Sequence, residues 1–329
     1  MRTAGRNNRL KRKKSRNKHR KFYKALTGIA AAIVLALSGV ITFGEQLGLD
    51  TPNWEQVKAS VGAQDQANLT PMPVNVFYID IGQGDCELIH TENANILIDA
   101  GENLPENSAK IISFAKQLGV EKFDYVIATH PHSDHIGAMA DVLREIPADS
   151  IIMPYLSEEN IPTTRIYEDL LDTIEELNIP VIEAEAGASY EIDGLTLEIL
   201  SPLEQDENLN NMSVVVKMTY GDSSYLFEGD AESGAEHEIL ESGADVQADI
   251  LKAGHHGSRT SSSKDYLRAV DPEIAVISCG EGNSYGHPHQ QTLEKFRENG
   301  ITFYRTDTQG TITIGTDGEK YEVIVENGT

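Results

Sequence analysis

From residue 74 onward the apolar residues keep two rhythms in turn. Stretches 74–80 and 86–90 are short apolar runs on either side of Gly82-Gln83-Gly84-Asp85, which predicts a hairpin. Stretches 95–99 and 123–128 are further apolar runs bounded by turn residues, as buried strands are. Between them the period changes, with Ile111, Ile112, Ala115 and Leu118 recurring at helical spacing over 108–118. The same spacing predicts helices over 136–146, stopped by Pro147, and over 165–177, with a short strand at 150–153. The second half follows suit. Strands are expected at 195–200, 214–220 and 223–227, a helix at 233–242 and a buried strand at 250–253. Elements at 274–278, 290–299, 302–304, 311–316 and 320–325 complete that half. Each half thus has an acid at one strand end (Asp99, Asp230), then a helix, then histidines at the next strand end, the pattern of an internal duplication. Two such halves imply an α/β fold of two sheets packed face to face with helices outside.

The first 73 residues keep neither rhythm. Residues 1–24 hold 12 Lys/Arg and no acid, and residues 25–44 carry no charge at all. Twenty uncharged, mostly apolar residues can cross a bilayer core of roughly 30 Å as a helix. The basic block orients such a span with the N-terminus in the cytoplasm and the rest outside. The reading is a transmembrane signal anchor in a single-pass cell-membrane protein, with a cleaved signal peptide and secretion as the alternative. Residues 45–73, polar and with Pro52, Pro71 and Pro73, are a linker, and 74–329 form the folded domain. Of 27 basic residues, 12 lie in the tail, leaving 15 against 52 acids and a charge of −37 on everything after it. Cys86 and Cys279 suit an oxidising exterior in which a bridge is optional.

The chemistry concentrates at Thr129-His130-Pro131-His132-Ser133-Asp134-His135, where a predicted strand gives way to a loop. His130 and His132 point the same way in an extended segment, and Asp134 and His135 follow where the chain turns. Imidazole and carboxylate are ligands of divalent zinc, manganese or iron. Asp230 at a later strand end has two oxygens and can bridge two cations. Of His255 and His256, strand direction lets one face the metal, and the choice falls on His255. The expected ligands are His130 and His132 on one ion, Asp134, His135 and His255 on the other, and Asp230 between. Six groups leave both sites open, as a reaction centre requires. Asp134 also orients the attacking water, whose pKa a metal lowers to about 7. Asp99 and Asp80 are candidate outer partners for the histidines. In Tyr285-Gly286-His287-Pro288-His289, His287 is placed to protonate a leaving group or hold a phosphate.

The 129–135 stretch resembles the metal signature of the metallo-β-lactamase superfamily. Asp80-Ile81-Gly82-Gln83-Gly84-Asp85, Asn211-Met212-Ser213, Phe227-Glu228-Gly229-Asp230-Ala231-Glu232, Lys252-Ala253-Gly254-His255-His256-Gly257-Ser258 and Tyr285-Gly286-His287-Pro288-His289 follow in order. That series resembles the extracellular hydrolase domain of ComEC-type competence proteins. The resemblance implies a four-layer αββα sandwich, a dinuclear centre at one edge with two divalent ions (zinc, or manganese), and substrate contacts from Asn211, Ser213, His256, Ser258, Tyr285 and His289. In the competence proteins the domain is thought to degrade one strand of incoming DNA. Two departures stand out. No His lies between His135 and His237, where the superfamily usually has a further ligand, so the first metal is expected to have an open or weakly bound position. A many-helix channel is also missing, since the sequence offers one candidate span.

The expected function is a membrane-anchored extracellular metallohydrolase acting on a phosphodiester or nucleic acid. Its partners are then the membrane and DNA or another phosphodiester. A charge of −37 repels a polyanion, and the local basic group Lys252, Arg259, Lys264 and Arg268 is the one candidate footprint. The alternatives are a hydrolase of small phosphoesters, cell-wall choline phosphate, lactams or lactones, and a surface binding module without activity.

Overall fold

A computed structural model describes residues 72–327. The expected tail, anchor and most of the linker lie outside the described residues. Among the described residues no helix is long and apolar enough to cross a membrane.

Two sheets dominate. The first contains β1 (Val74–Tyr78), β2 (Glu87–Thr91), β3 (Asn95–Ile98), β4 (Phe123–Ile127), β5 (Ala148–Met153) and β6 (Val181–Glu183), side by side in chain order. The second contains β7 (Ser189–Ile192), β8 (Leu195–Ser201), β9 (Val215–Tyr220), β10 (Ser223–Phe227), β11 (Ile250–Lys252), β12 (Ile274–Ile277) and β13 (Thr302–Arg305). The last two strands, β14 (Ile312–Thr316) and β15 (Tyr321–Val325), return to the first sheet, where β14 pairs antiparallel with β1. The sequence assigned them to the second half. A strand's apolar pattern fixes which face is buried but not which neighbour it meets, so the duplication is less symmetric than element order implied.

Alternation along β1 explains the layering. Val74, Val76 and Tyr78 face the inter-sheet core with Leu197, Val216 and Phe227, while Phe77 faces the outer layer. Both faces of each sheet are covered, so the central strands read as continuous apolar runs. Helices α1 (Pro105–Gln117), α3 (Met139–Glu145) and α4 (Arg165–Leu177) cover the first sheet. Helices α5 (Ser233–Ser242), α6 (Lys264–Val270) and α7 (Gln290–Glu298) cover the second. The result is the αββα sandwich.

One predicted helix is divided. In place of 136–146, a single turn α2 (Ser133–Ile136) precedes α3. The chain is pinned between them at Gly137, where a Cβ would come within 2.2 Å of both Asn103 N and Ser133 O. Helix α6, strands β6 and β7, and the turn α8 (Thr306–Gln309) were not anticipated; they are short or lie at sheet edges, with little periodicity to read. Cys86 and Cys279 are unpaired, buried in the outer layers of opposite sheets. Strands β3–β6 run parallel, as do β10–β13, and the carboxyl ends of β3, β4, β10 and β11 all deliver residues to one edge of the sandwich.

Candidate metal centre

The loop after β4 is held from both sheets. Thr129 donates to Asp99 through its backbone N at 2.9 Å and its hydroxyl at 2.6 Å, while Val214 N donates to Thr129 O. From this fixed point His130 and His132 extend to the same side, with His130 Nε2 and His132 Nδ1 only 3.0 Å apart. Helix α2 then turns Asp134 and His135 inward, with His135 N bonded to His132 O.

Asp230 follows β10 across Gly229, whose φ is +52° and where a Cβ would meet Thr129 Cβ at 2.9 Å. Its backbone N donates to Ser213 Oγ at 3.1 Å. Its oxygens face different groups. Oδ1 lies 3.1 Å from His135 Nε2 and 3.4 Å from His256 Nε2, whereas Oδ2 lies 3.7 Å from both His130 Nε2 and His255 Nε2.

The choice of His255 over His256 is corrected by the turn after β11. Both residues adopt left-handed backbone, φ 49° and 52°, a conformation that costs a non-glycine residue on the order of 1–3 kcal/mol. Strand alternation, which would turn one ring away, therefore stops. His256, buried, carries Nε2 to 3.4 Å from Asp134 Oδ2 as well as from Asp230. His256, not His255, joins Asp134, His135 and Asp230. The Gly254 amide, held on Glu228 Oε2 at 2.7 Å, anchors the turn.

The buried imidazoles of His130, His135 and His256 each have the outer nitrogen occupied. His135 Nδ1 donates to Asp99 Oδ2 at 2.7 Å and His256 Nδ1 to Ser278 O at 3.0 Å. His130 Nδ1 lies 3.2 Å from the Thr129 hydroxyl, whose own proton goes to Asp99. These contacts leave the Nε2 lone pairs pointing inward, as ligating histidines require. Asp80, the other expected outer partner, is elsewhere: its side chain accepts from Gly82 N.

Two clusters have the reach to hold an ion, Asp85–His135–Asp230–His256 and His130–His132–Asp230, with atoms within 4.8 Å of one another. Asp85 faces the Nδ1 atoms, 3.1 Å from that of His256 and 4.0 Å from that of His135, so it sits behind the rings. Asp134, on the Nε2 side, is the better fourth group. His135 Nε2, His256 Nε2 and Asp230 Oδ1 are buried and make no hydrogen bond of acceptable geometry among the described residues. Buried polar atoms left unbonded and aimed at one point fit a cation. The residues present therefore suit divalent metal ions.

Electrostatics agree. Burial pushes the His130 ring below its usual range, so it is neutral and free to ligate. Burial also opposes charge on His135 and His256, but Asp230 with Asp99 or Asp85 outweighs it, raising His135 well above its usual range and His256 to about 10. Without metal, protons take the place of the cation. Behind them lies a buried pair that sequence reading missed: Lys252 Nζ donates to Asp85 Oδ2 at 2.5 Å, both nearly inaccessible. A lysine inside the apolar run 250–253 was the available signal. Lys252 therefore leaves the proposed basic footprint, Lys264 lies 3.6 Å from Glu298, and Arg268 is bonded to Asp265.

A cleft of about 660 Å³ opens over the centre, lined by His132, Asp134, His255, His256, Tyr285 and His287, with Pro131, Pro162, Ile166 and Leu209 as an apolar wall. Tyr285 is 61% exposed and stacks on His287, ring centroids 5.6 Å apart. Burial and the neighbouring His256 hold His287 down to about 4, so it is neutral at pH 7, and its Nδ1 has no partner among the described residues. Four expected substrate contacts are placed elsewhere. Ser213 is buried behind Asp230, Ser258 bonds to Thr260, Asn211 bonds to Asp206 and Glu232, and His289 Nδ1 accepts from Arg259 N. Each uses its polar atoms to hold a loop. His256 lines the cleft but belongs to the metal cluster.

Residues 79–281 match the family described as the metallo-beta-lactamase superfamily. ComE operon protein 3 of Bacillus subtilis (strain 168) is 32% identical over 253 residues, covering 71% of this chain and 32% of that protein. Competence protein ComA of Neisseria gonorrhoeae is 31% identical over 239 residues, covering 72% of this chain and 31% of that one. The chain spans about a third of the length of these relatives. Among solved structures, CmlA, a diiron beta-hydroxylase from Streptomyces venezuelae, has a TM-score of 0.51 at 12% identity, over 80% of this chain and 60% of that one, a likeness of fold alone.

Proposed function

The chain belongs to the metallo-beta-lactamase superfamily, and we propose that it is a metal-dependent phosphodiesterase with two divalent ions, zinc or manganese, in its centre. The observation that carries this reading is Asp230, whose two oxygens face two separate groups of imidazoles. His130, His132 and Asp230 Oδ2 would hold the first ion; Asp134, His135, His256 and Asp230 Oδ1 would hold the second. Ions held there would lower the pKa of a bound water and polarise a substrate oxygen.

The chain's own groups orient the reaction. Asp134, partly exposed at the cleft floor, accepts a proton or hydrogen bond from the attacking water. His287, neutral and lining the cleft, is the group placed to hydrogen-bond the leaving oxygen or a phosphate oxygen. On the side that faces the cleft, two divalent cations would outweigh the carboxylates of Asp134 and Asp230, with Asp99 and Glu232 set behind the rings of His135 and His255 and Asp85 neutralised by Lys252. An anionic ester is drawn to such a centre despite the acidic surface around it.

The cleft's volume is that of a small-ligand site, and two of the four basic residues around the His255 turn are paired with acids while a third is buried. These observations favour a second reading within the same chemistry, a short or small phosphoester in place of a long polynucleotide. We further propose that residues 25–44 anchor the chain in the cell membrane and place the domain outside. The domain from residue 70 onward, supplied with zinc or manganese, is offered single-stranded DNA and bis(p-nitrophenyl) phosphate. Cleavage of both supports a nuclease, and cleavage of the small ester alone supports the second reading. Asp134→Ala should remove either activity, and unchanged turnover in that variant rejects the enzyme reading.

A further inference from the structure

The geometry points to His255 as the third imidazole of the first metal site, in the role left open by the lack of a histidine between His135 and Asp230. The inference rests on the metal reading above and adds a ligand to it. His255 Nε2 stands 3.7 Å from Asp230 Oδ2, the same separation as His130 Nε2 from the same oxygen. Its ring is built like those of the buried histidines. Nδ1 lies 3.1 Å from Glu232 Oε1 and 3.2 Å from Thr260 Oγ1; Asn210 Nδ2, 3.5 Å from it, has its nearer acceptor in Glu232 Oε1 at 3.1 Å, so a proton on Nδ1 meets the carboxylate and the Nε2 lone pair is left for the Asp230 side.

Glu232 is itself fixed. Asn208 and Asn210 donate side-chain NH2 groups to its two oxygens at 3.1 Å each, and its backbone N donates to Asn211 Oδ1. The segment 208–211, where a ligand would ordinarily be sought, thus orients the carboxylate that orients His255. The left-handed pair at His255 and His256 gives each ring its own oxygen of Asp230, Oδ2 for the first and Oδ1 for the second. Each ion then has four protein groups: His130, His132, His255 and Asp230 for one, Asp134, His135, His256 and Asp230 for the other. Asn210 is the rival, because its Oδ1 is buried and unbonded.

The test counts metal. The full chain, stripped with chelator, is titrated with Co²⁺ by calorimetry and visible absorption, beside His255→Ala, Glu232→Gln and Asn210→Ala. The wild-type should bind two ions. His255→Ala should bind one tightly, with the other at least tenfold weaker, and Glu232→Gln should weaken one site by about 10- to 100-fold. Should His255→Ala fail to fold by circular dichroism, the partly exposed Glu232→Gln carries the same reading. Two sites of unchanged affinity in Glu232→Gln and His255→Ala, or loss of a site in Asn210→Ala alone, overturns the assignment while leaving the metal reading intact. A wild-type chain that binds no Co²⁺ overturns both.

Discussion

Replacing Lys252 by Met keeps an unbranched side chain one atom shorter and removes its charge. Lys252 is 1% exposed and its ammonium meets Asp85 at 2.5 Å, with a second bond to Ala253 O at 3.1 Å. Burial alone would raise Asp85, yet Lys252 and then His256 hold it at about 2 against an ordinary 3.8. At about 1.4 kcal/mol per pH unit, that is on the order of 2 kcal/mol of folding free energy at neutral pH. Because Asp85 is depressed, this contribution is present above pH 4 and is lost as pH falls through about 2. Removing the lysine also leaves a buried carboxylate without its cation, so the single variant should lose about 3–5 kcal/mol. For a domain of this size that lowers Tm by on the order of 10 °C. Lys252→Met/Asp85→Asn should recover more than half of the loss, because both charges are then gone. The measurement is urea unfolding of the metal-free domain in a double-mutant cycle. A loss below about 1 kcal/mol for Lys252→Met, or a double variant as unstable as the sum of the singles, would refute the pairing as a stabilising element.

Three shorter predictions follow from the centre. Asp230→Asn should abolish binding of both ions, seen by elemental analysis, and lower kcat by at least about 10³-fold; retention of both metals would show that Asp230 bridges nothing. Tyr285→Ala should raise KM for an aryl or nucleotide phosphodiester by about fivefold to a hundredfold with kcat little changed, since base stacking on an aromatic ring is worth about 1–3 kcal/mol; equal effects on a dialkyl phosphodiester would argue against stacking. His256, raised to about 10 in the metal-free fold, contributes stability that is fully present below about pH 6.5 and lost as pH rises through about 10. The chelated domain should therefore melt lower at pH 10 than at pH 7, and metal uptake near neutral pH should release protons in calorimetry across buffers of different ionisation enthalpy.

The layers and most strands could be read from the sequence because β1, β4, β10 and β11 are apolar runs ended by turn residues. The helices at Arg165–Leu177 and Ser233–Ser242 were legible to the residue. The His130–His135 stretch and Asp230 were legible as chemistry, since several ligand types fall close together at strand ends. What was not legible depended on contacts between distant segments. The left-handed turn at His255 and His256 is set by Gly229 O, Glu228 and Ala231 pressing on β11's end, and no local pattern announces it. Ser213, Ser258 and Asn211 look like substrate contacts in a motif, yet each hydroxyl or amide faces the protein. Lys252 read as surface charge because sequence gives the charge of a residue and not its depth.

The return of β14 to pair with β1 sets an order on how the domain can be made. Among the described residues β1 comes first in the chain, and one of its two neighbours follows it by some 235 residues. Until that neighbour arrives, β1 presents an unpaired hydrogen-bonding edge, a template for joining other chains. A chain cut short before residue 312 would therefore not be a smaller hydrolase but an aggregation-prone intermediate, and closing so long a loop makes assembly slow.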